Sequence, residues 1–393
     1  MGKEWISPLV QNIPPSGIRA FFDLDPSKDT ISLGVGEPDF ATPAHVREAC
    51  IRALNEGFTK YTSNAGMVEL REEIAHYLQR SYRLHYDPRS EILVTVGTSE
   101  AVDLALRTFI RPGDEVLVPA PSYIAYSPIA SINGGKVVPV RTSAQQHFKL
   151  TAEALKEKLT PQSRVLMLNY PNNPTGAVMT YEDWLPIVEL IKEYNLIVLS
   201  DEVYSELTYE RKHVSIASVP GMMERTIVIN GFSKAFAMTG WRIGYACGQG
   251  ELIAAMLKIH QYTAMCAPAL GQIAALESLR NGLEEKDRMI AAYRERRDSF
   301  VRGLREIGLP CHTPEGAFYV FPSIAGTGLS SEQFALQLMK EAGIGVVPGS
   351  VFGEGGEGFI RCSYSVAPEQ LERALERMER FVKAQLHCGA NAG

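Results

Sequence analysis

Between residues 92 and 231 the chain repeats one pattern: a short unbroken run of aliphatic and β-branched residues, then a stretch with apolar positions at helical spacing. The runs fall at 92–96, 115–118, 137–140, 164–168, 196–199 and 226–229. Between them the spacing predicts helices at 99–109, near Tyr123, and at 152–159 and 181–194. Near-continuous apolar strands alternating with helices predict a parallel sheet covered on both faces. Function in such a sheet lies beyond the C-terminal ends of the strands. The polar residues that follow each run are therefore the ones to inspect.

The flanks read differently. Residues 1–30 form an arm, interrupted by Pro8, Pro14, Pro15 and Gly17, and a short extended piece follows at 31–39. A helix at 43–54 carries Val46, Ala49, Cys50, Ala53 and Leu54 on one face, with Thr42 as its cap, and another spans 68–83. After a returning strand at 241–246, long helices are expected at about 251–280 and at 284–307. Short strands at 318–321, 345–347 and 359–363, a helix at 332–342 and a last helix striped by Leu371, Ala374, Leu375, Met378, Phe381 and Val382 complete a small α+β unit. The expected class is thus α/β, with a large domain built on a mostly parallel mixed sheet, a small α+β C-terminal domain and an N-terminal arm. The expected division is 1–45 for the arm with part of the small domain, 46–285 for the large domain and 286–393 for the small one.

Composition narrows the function. At 393 residues the chain exceeds what one core usually organises, roughly 250–300 residues. With 45% hydrophobic and 21% charged residues it reads as a globular protein, and no apolar run approaches the roughly 20 residues of a membrane span. No signal-peptide pattern opens it, so a cytoplasmic location is expected. A net charge of −6 without a basic block argues against nucleic acid as the main ligand. Six cysteines form no CxxC pair, and eight histidines show no metal spacing, so neither disulfide nor metal is expected.

The chemistry gathers at Lys234. A single lysine usually sits solvated, but this one follows the strand at 226–229 in a loop of small and apolar residues, which would desolvate the amine and favour its nucleophilic form. Arg242 is close enough in sequence to fix an anion. Other strand ends supply complementary groups: the glycine turn of Gly97, Thr98 and Ser99 opening a helix, whose free N–H groups suit a phosphate; Asn173 in a polar turn; Asp201 and Tyr204 ending an apolar strand; and Tyr123 after another. Each alone reads as an N-cap, a turn, a rim or core. Together they match pyridoxal 5′-phosphate. Lys234 would form the imine and Arg242 would hold the phosphate. Asp201 would pair with the pyridine nitrogen, Tyr204 and Asn173 would donate to the ring oxygen, and Tyr123 would stack on the ring. The segment at 353–358 spells G-x-G-x-x-G, yet it precedes a strand rather than opening a helix, so it reads as a loop.

Three stretches, Asn-Asn-Pro-Thr-Gly at 172–176, Ser-Asp-Glu-Val-Tyr at 200–204 and Ser-Lys-Ala-Phe-Ala-Met-Thr-Gly-Trp-Arg-Ile-Gly at 233–244, resemble the class I/II aminotransferases of PLP fold type I, and the likeness spans essentially the whole chain. The resemblance implies that Lys234 is the Schiff-base lysine and that Arg361 grips the substrate α-carboxylate, which the backbone of Gly36 also meets. It further implies that Tyr61 reaches the cofactor phosphate of a partner subunit, hence a homodimer with shared active sites. Two departures stand out. Gly231 replaces a phosphate-binding serine, leaving Ser233 or Ser99 to compensate, and Ser99 stands where close bacterial aspartate enzymes carry a lysine for the distal carboxylate. The arm at 16–22 and the stretch 260–268 look more like aromatic and acyl-diamino-acid aminotransferases.

The expected reaction is ping-pong transamination from an L-amino acid to 2-oxoglutarate. Two alternatives are weighed against it. One is a C–S β-lyase or related α-carbanion enzyme on the same scaffold. The other is a ligand-sensing regulator, disfavoured by the negative chain and by the mere 30 or so residues preceding the arm glycines.

Overall fold

The computed structural model describes residues 5–11, 13, 15, 17 and 29–390, with side chains to Gln385; the expectation placed on 16–22, Gly17 apart, lies outside the described residues. The strands are β1 (Ile31–Ser32), β2 (Ile92–Thr95), β3 (Glu115–Ala120), β4 (Lys136–Arg141), β5 (Ser163–Asn169), β6 (Ile197–Asp201), β7 (Thr226–Gly231), β8 (Gly244–Cys247), β9 (Tyr319–Val320), β10 (Ile344–Gly345), β11 (Val347–Pro348) and β12 (Ile360–Ser363). The helices are α1 (Pro8–Gln11), α2 (Ala44–Asn55), α3 (Val68–Tyr82), α4 (Gly97–Phe109), α5 (Tyr126–Ile132), α6 (Ala152–Lys156), α7 (Tyr181–Glu193), α8 (Gly250–Thr263), α9 (Ala269–Asn281), α10 (Leu283–Glu306), α11 (Ser331–Ala342) and α12 (Pro368–Ala390).

Seven strands make the main sheet in the order β2-β8-β7-β6-β5-β3-β4. All neighbours run parallel except β8, which is antiparallel to both β2 and β7. Side chains alternate between faces along each strand, and the cores follow that alternation. From β5, Val165 and Met167 join a cluster with Leu104 and Val102 of α4, while Leu166 and Leu168 join Trp184, Ile187 and Val188 of α7. Helix α7 is started by a capping box, in which Thr180 and Asp183 bond each other's backbone N–H. The C-terminal part adds the antiparallel sheet β11-β12-β9, and β1 pairs parallel with β10.

Four local expectations are corrected. Residues 239–241 form a 3₁₀ turn rather than the start of a strand, because Arg242 takes the left-handed conformation (φ 57°) and extended pairing begins only at Gly244. The helix expected over 251–280 is two helices, broken where Met265 has φ 66° and where Pro268 precedes the first residue of α9. Strand β7 continues through Asn230 to Gly231, which pairs with Gly244. Thr42 does not cap α2; its hydroxyl donates to the Ala237 carbonyl at 2.6 Å and accepts from the Trp241 indole at 3.0 Å.

Candidate active site

Strand register brings the polar ends together. Asn169 of β5 lies opposite Asp201 of β6, and Asp201 lies opposite Ile229 of β7, so the segments leaving these strands emerge side by side. The cavity they frame has a volume of about 310 Å³ and is lined by Gly36, Thr98, Ser99, Tyr123, Asn173, Asp201, Tyr204, Ser233, Lys234, Arg242 and Arg361, all singled out from the sequence. Tyr126, Asn169, Val203, Thr239 and Tyr319 complete the lining.

Lys234 sits part-buried with its amine donating to the Gly36 carbonyl at 2.6 Å. Burial lowers its pKa to about 8; the nearby Arg361 and Arg242 push the same way, and Glu37 opposes them. The amine is still mostly protonated near neutral pH, but it reaches its neutral form far more readily than an ordinary lysine does. Asp201 is 5% exposed, and burial raises its carboxyl to about 6. Its oxygens accept from the Tyr126 hydroxyl at 2.8 Å and the Val203 N–H at 3.1 Å, both neutral donors.

At the other side of the cavity, helix α4 begins directly at Gly97, whose φ of 71° suits glycine. A Cβ there would lie 2.4 Å from Arg242 Nη2, so the turn and the guanidinium sit face to face. The N-cap residue, Val96, offers no side-chain cap. Its own N–H is taken by Glu100 Oε2 at 2.5 Å, and the N–H groups of the first turn face outward from a helix N-terminus, an anion-binding arrangement. Gly231 does not line the cavity; a Cβ on it would press on the Ile243 carbonyl and the Thr98 methyl at 3.0 and 3.1 Å.

Arg361 of β12 is 2% exposed and comes from the small sheet into the same cavity. Nη1 donates to Asn173 Oδ1 at 2.9 Å and Nη2 to the Gly34 carbonyl at 2.5 Å, while Nε is buried without a partner. Its guanidinium is sandwiched by rings, 4.5 Å from the Tyr319 centroid and 5.0 Å from that of Phe352. A buried cation held only by neutral acceptors is incomplete without an anion.

Two of the sequence-derived candidates do not line the cavity, and one of them, Tyr61, is 80% exposed. Gly97 lies behind the lining, against Arg242. Sequence reasoning missed Tyr126, although it lies three residues after Tyr123, and Asn169, although it ends a strand. Tyr319 carried no signal, because it sits in the apolar run 318–321 and reads as core.

The model of the family "Aminotransferase class I and II" matches residues 28–378. A Bacillus subtilis protein, YugH, provisionally described as an aminotransferase, is 53% identical over 380 residues, covering 96% of this chain and 98% of its own. A second B. subtilis protein, a probable N-acetyl-LL-diaminopimelate aminotransferase, is 44% identical, covering 96% and 95%. The solved structure of an aromatic aminotransferase from Pyrococcus horikoshii superposes with a TM-score of 0.89 at 44% identity, over 94% of this chain and 99% of that one. The chain belongs to the class I and II aminotransferases, transferases of the EC 2.6.1 type that depend on pyridoxal 5′-phosphate.

Proposed function

We propose that this enzyme moves the amino group of an aromatic or acyl-diamino L-amino acid to 2-oxoglutarate by a ping-pong reaction, with Lys234 as the reacting amine. The observation that carries the assignment of the site is Arg361: a buried guanidinium with an unpartnered Nε, in one cavity with the depressed-pKa Lys234. The residues fit the cofactor. Arg242, Thr98, Ser99, Ser233 and the Gly97 turn would hold its phosphate, Asp201 would face its ring nitrogen, Tyr204 and Asn173 its ring oxygen, and Tyr123 its ring face. Ser99 and Ser233 both line the cavity, which supports them in the place of the serine missing at Gly231. Pyridoxal phosphate bound there supplies an aldehyde carbon for amine exchange and an electron-withdrawing ring.

The chain's own groups do the rest. Arg361 and the Gly36 backbone receive the substrate α-carboxylate and so fix the orientation of Cα. Lys234 Nζ, once free and neutral, would take the proton from Cα of the amino donor and give it up at the cofactor's aldehyde-derived carbon, and with the oxo acid it would carry a proton the other way, to that substrate's Cα. Asp201, facing the ring nitrogen, would stay ionised and keep that nitrogen protonated, and its burial would make the pairing strong.

The lean on substrate rests on the pocket. The cations among its described lining are Lys234, Arg242 and Arg361, each already given a role, and Ser99 offers no charge to a distal carboxylate. Relatives' names alone do not decide it, since an aspartate aminotransferase of Pyrococcus abyssi is also 44% identical. We further propose a cytoplasmic homodimer in which Tyr61 serves the partner's phosphate site. A donor panel with 2-oxoglutarate and glutamate readout tests the substrate: phenylalanine, tyrosine or an N-acyl-diamino acid should exceed aspartate in kcat/KM by at least tenfold. A preference for aspartate would overturn it.

A further inference from the structure

Tyr319 stands where three parts of the site meet, and nothing in the reaction described above uses it. It is 1% exposed, on β9, at the floor of the cavity. Its ring carries the Arg361 guanidinium at 4.5 Å, and its hydroxyl lies 2.8 Å from the Tyr204 hydroxyl. The two rings meet edge to face at 5.7 Å, so neither hydroxyl can swing away without moving a packed ring. On its third side is Gly36, the residue whose carbonyl holds the Lys234 amine. A Cβ on Gly36 would be 2.3 Å from the Tyr319 oxygen, which shows how closely the arm backbone is drawn over this hydroxyl.

Two hydroxyls in contact share a single hydrogen along their axis. If the Tyr204 proton is committed to the ring oxygen, the hydrogen between the pair must come from Tyr319. The ring beneath Arg361 is a separate contribution: a guanidinium over an aromatic face is held flat and in place by the quadrupole, and a phenylalanine supplies that face as well as a tyrosine does. Tyr319 therefore has two separable parts, a face that serves Arg361 and a hydroxyl that serves Tyr204.

We propose that Tyr319 is a positioning residue that sets both the substrate-carboxylate grip, through its ring under Arg361, and the hydrogen bonding of Tyr204 to the cofactor, through its hydroxyl. This rests on the roles assigned to Arg361 and Tyr204 in the proposed function. It supplies what a core aromatic would not: a reason for a hydroxyl, buried in an apolar run, to point at a tyrosine that faces the cofactor. Burial raises the pKa of that hydroxyl and the nearby Arg361 lowers it, with burial the larger effect, so the hydroxyl keeps its proton and stays a donor.

The test separates the two parts in the full-length protein loaded with pyridoxal phosphate. Tyr319→Phe should leave the KM for the amino donor, and the dissociation constant for the unreactive carboxylate 3-phenylpropionate, within twofold of wild type. It should move the pH midpoint of the cofactor absorbance by about half a pH unit or more and lower kcat about fivefold. Tyr319→Leu, which also removes the ring, should weaken 3-phenylpropionate about tenfold. An unchanged absorbance midpoint in folded Tyr319→Phe, judged by a wild-type melting profile, would overturn the proposal, as would a tenfold loss of carboxylate affinity in that variant. Arg361→Leu and Tyr204→Phe serve as controls. If Arg361→Leu leaves carboxylate affinity intact, the assignment of Arg361 fails, and if Tyr204→Phe leaves the midpoint intact, that of Tyr204 fails. If both controls behave and only Tyr319→Phe is silent, the failure belongs to this proposal alone.

Discussion

Lys234 and Asp201 are displaced from their ordinary pKa values in opposite senses by the same cause, burial, and this makes the cofactor-free protein pH-sensitive in a defined window. A carboxyl raised to about 6 has lost stability once pH rises through 6, because its charged form is the disfavoured one in the fold. An amine lowered to about 8 has lost stability once pH falls through 8. Both losses, each on the order of 3 kcal/mol at most, are present together between these values. The cofactor, with groups complementary to both, should therefore raise the melting temperature most between about pH 6 and 8 and less at pH 5 or 9.5, by calorimetry on loaded and stripped protein. Asp201→Asn should melt above wild type when stripped at pH 8 and below it when loaded; the same order in both states would contradict the account. The two tyrosines at this site show what sequence conveys at this scale. Tyr204 was legible because it follows acidic residues at a strand end, whereas Tyr319, between Phe318 and Val320, is indistinguishable from core until β9 is placed under Arg361.

At the scale of elements, the strand–helix alternation from β2 to β7 was legible because strands buried on both faces are apolar throughout, and their order places their ends in one row. What was not legible depended on a few dihedral angles. The left-handed residues Arg242 and Met265 interrupt patterns that hydrophobic spacing alone would carry through, and β10 and β11, two residues each, are too short to show a period. The turn from β2 into α4 is the element on which the proposed phosphate site depends. Gly97→Ala would force a side chain into left-handed geometry and against Arg242, at a cost of about 1–2 kcal/mol for the backbone alone. It should weaken pyridoxal phosphate at least tenfold by fluorescence titration while leaving far-UV circular dichroism unchanged. Wild-type cofactor affinity in this variant would remove the α4 N-terminus from the site.

For the whole molecule, the cavity lies where the C-terminal edge of the main sheet meets the small sheet: β12 contributes Arg361 and β9 Tyr319, while Lys234 and Asp201 follow or end β7 and β6. That separation in sequence, more than 120 residues from Lys234 to Arg361, is why the resemblance to a family carried Arg361 and the spacing of residues did not. Tyr61, proposed to serve the partner's site, is 80% exposed in the single chain. The proposed homodimer would cover it, so sedimentation equilibrium at micromolar concentration should give twice the chain mass of 43.3 kDa, and a monomer would exclude a shared site. The central claim, that the cofactor is held covalently by Lys234, has a direct test. Borohydride reduction of the loaded protein followed by peptide mapping should place a phosphopyridoxyl group on Lys234 and leave the Lys234→Ala protein unlabelled and without turnover. A label on another lysine, or wild-type turnover in Lys234→Ala, would contradict the account.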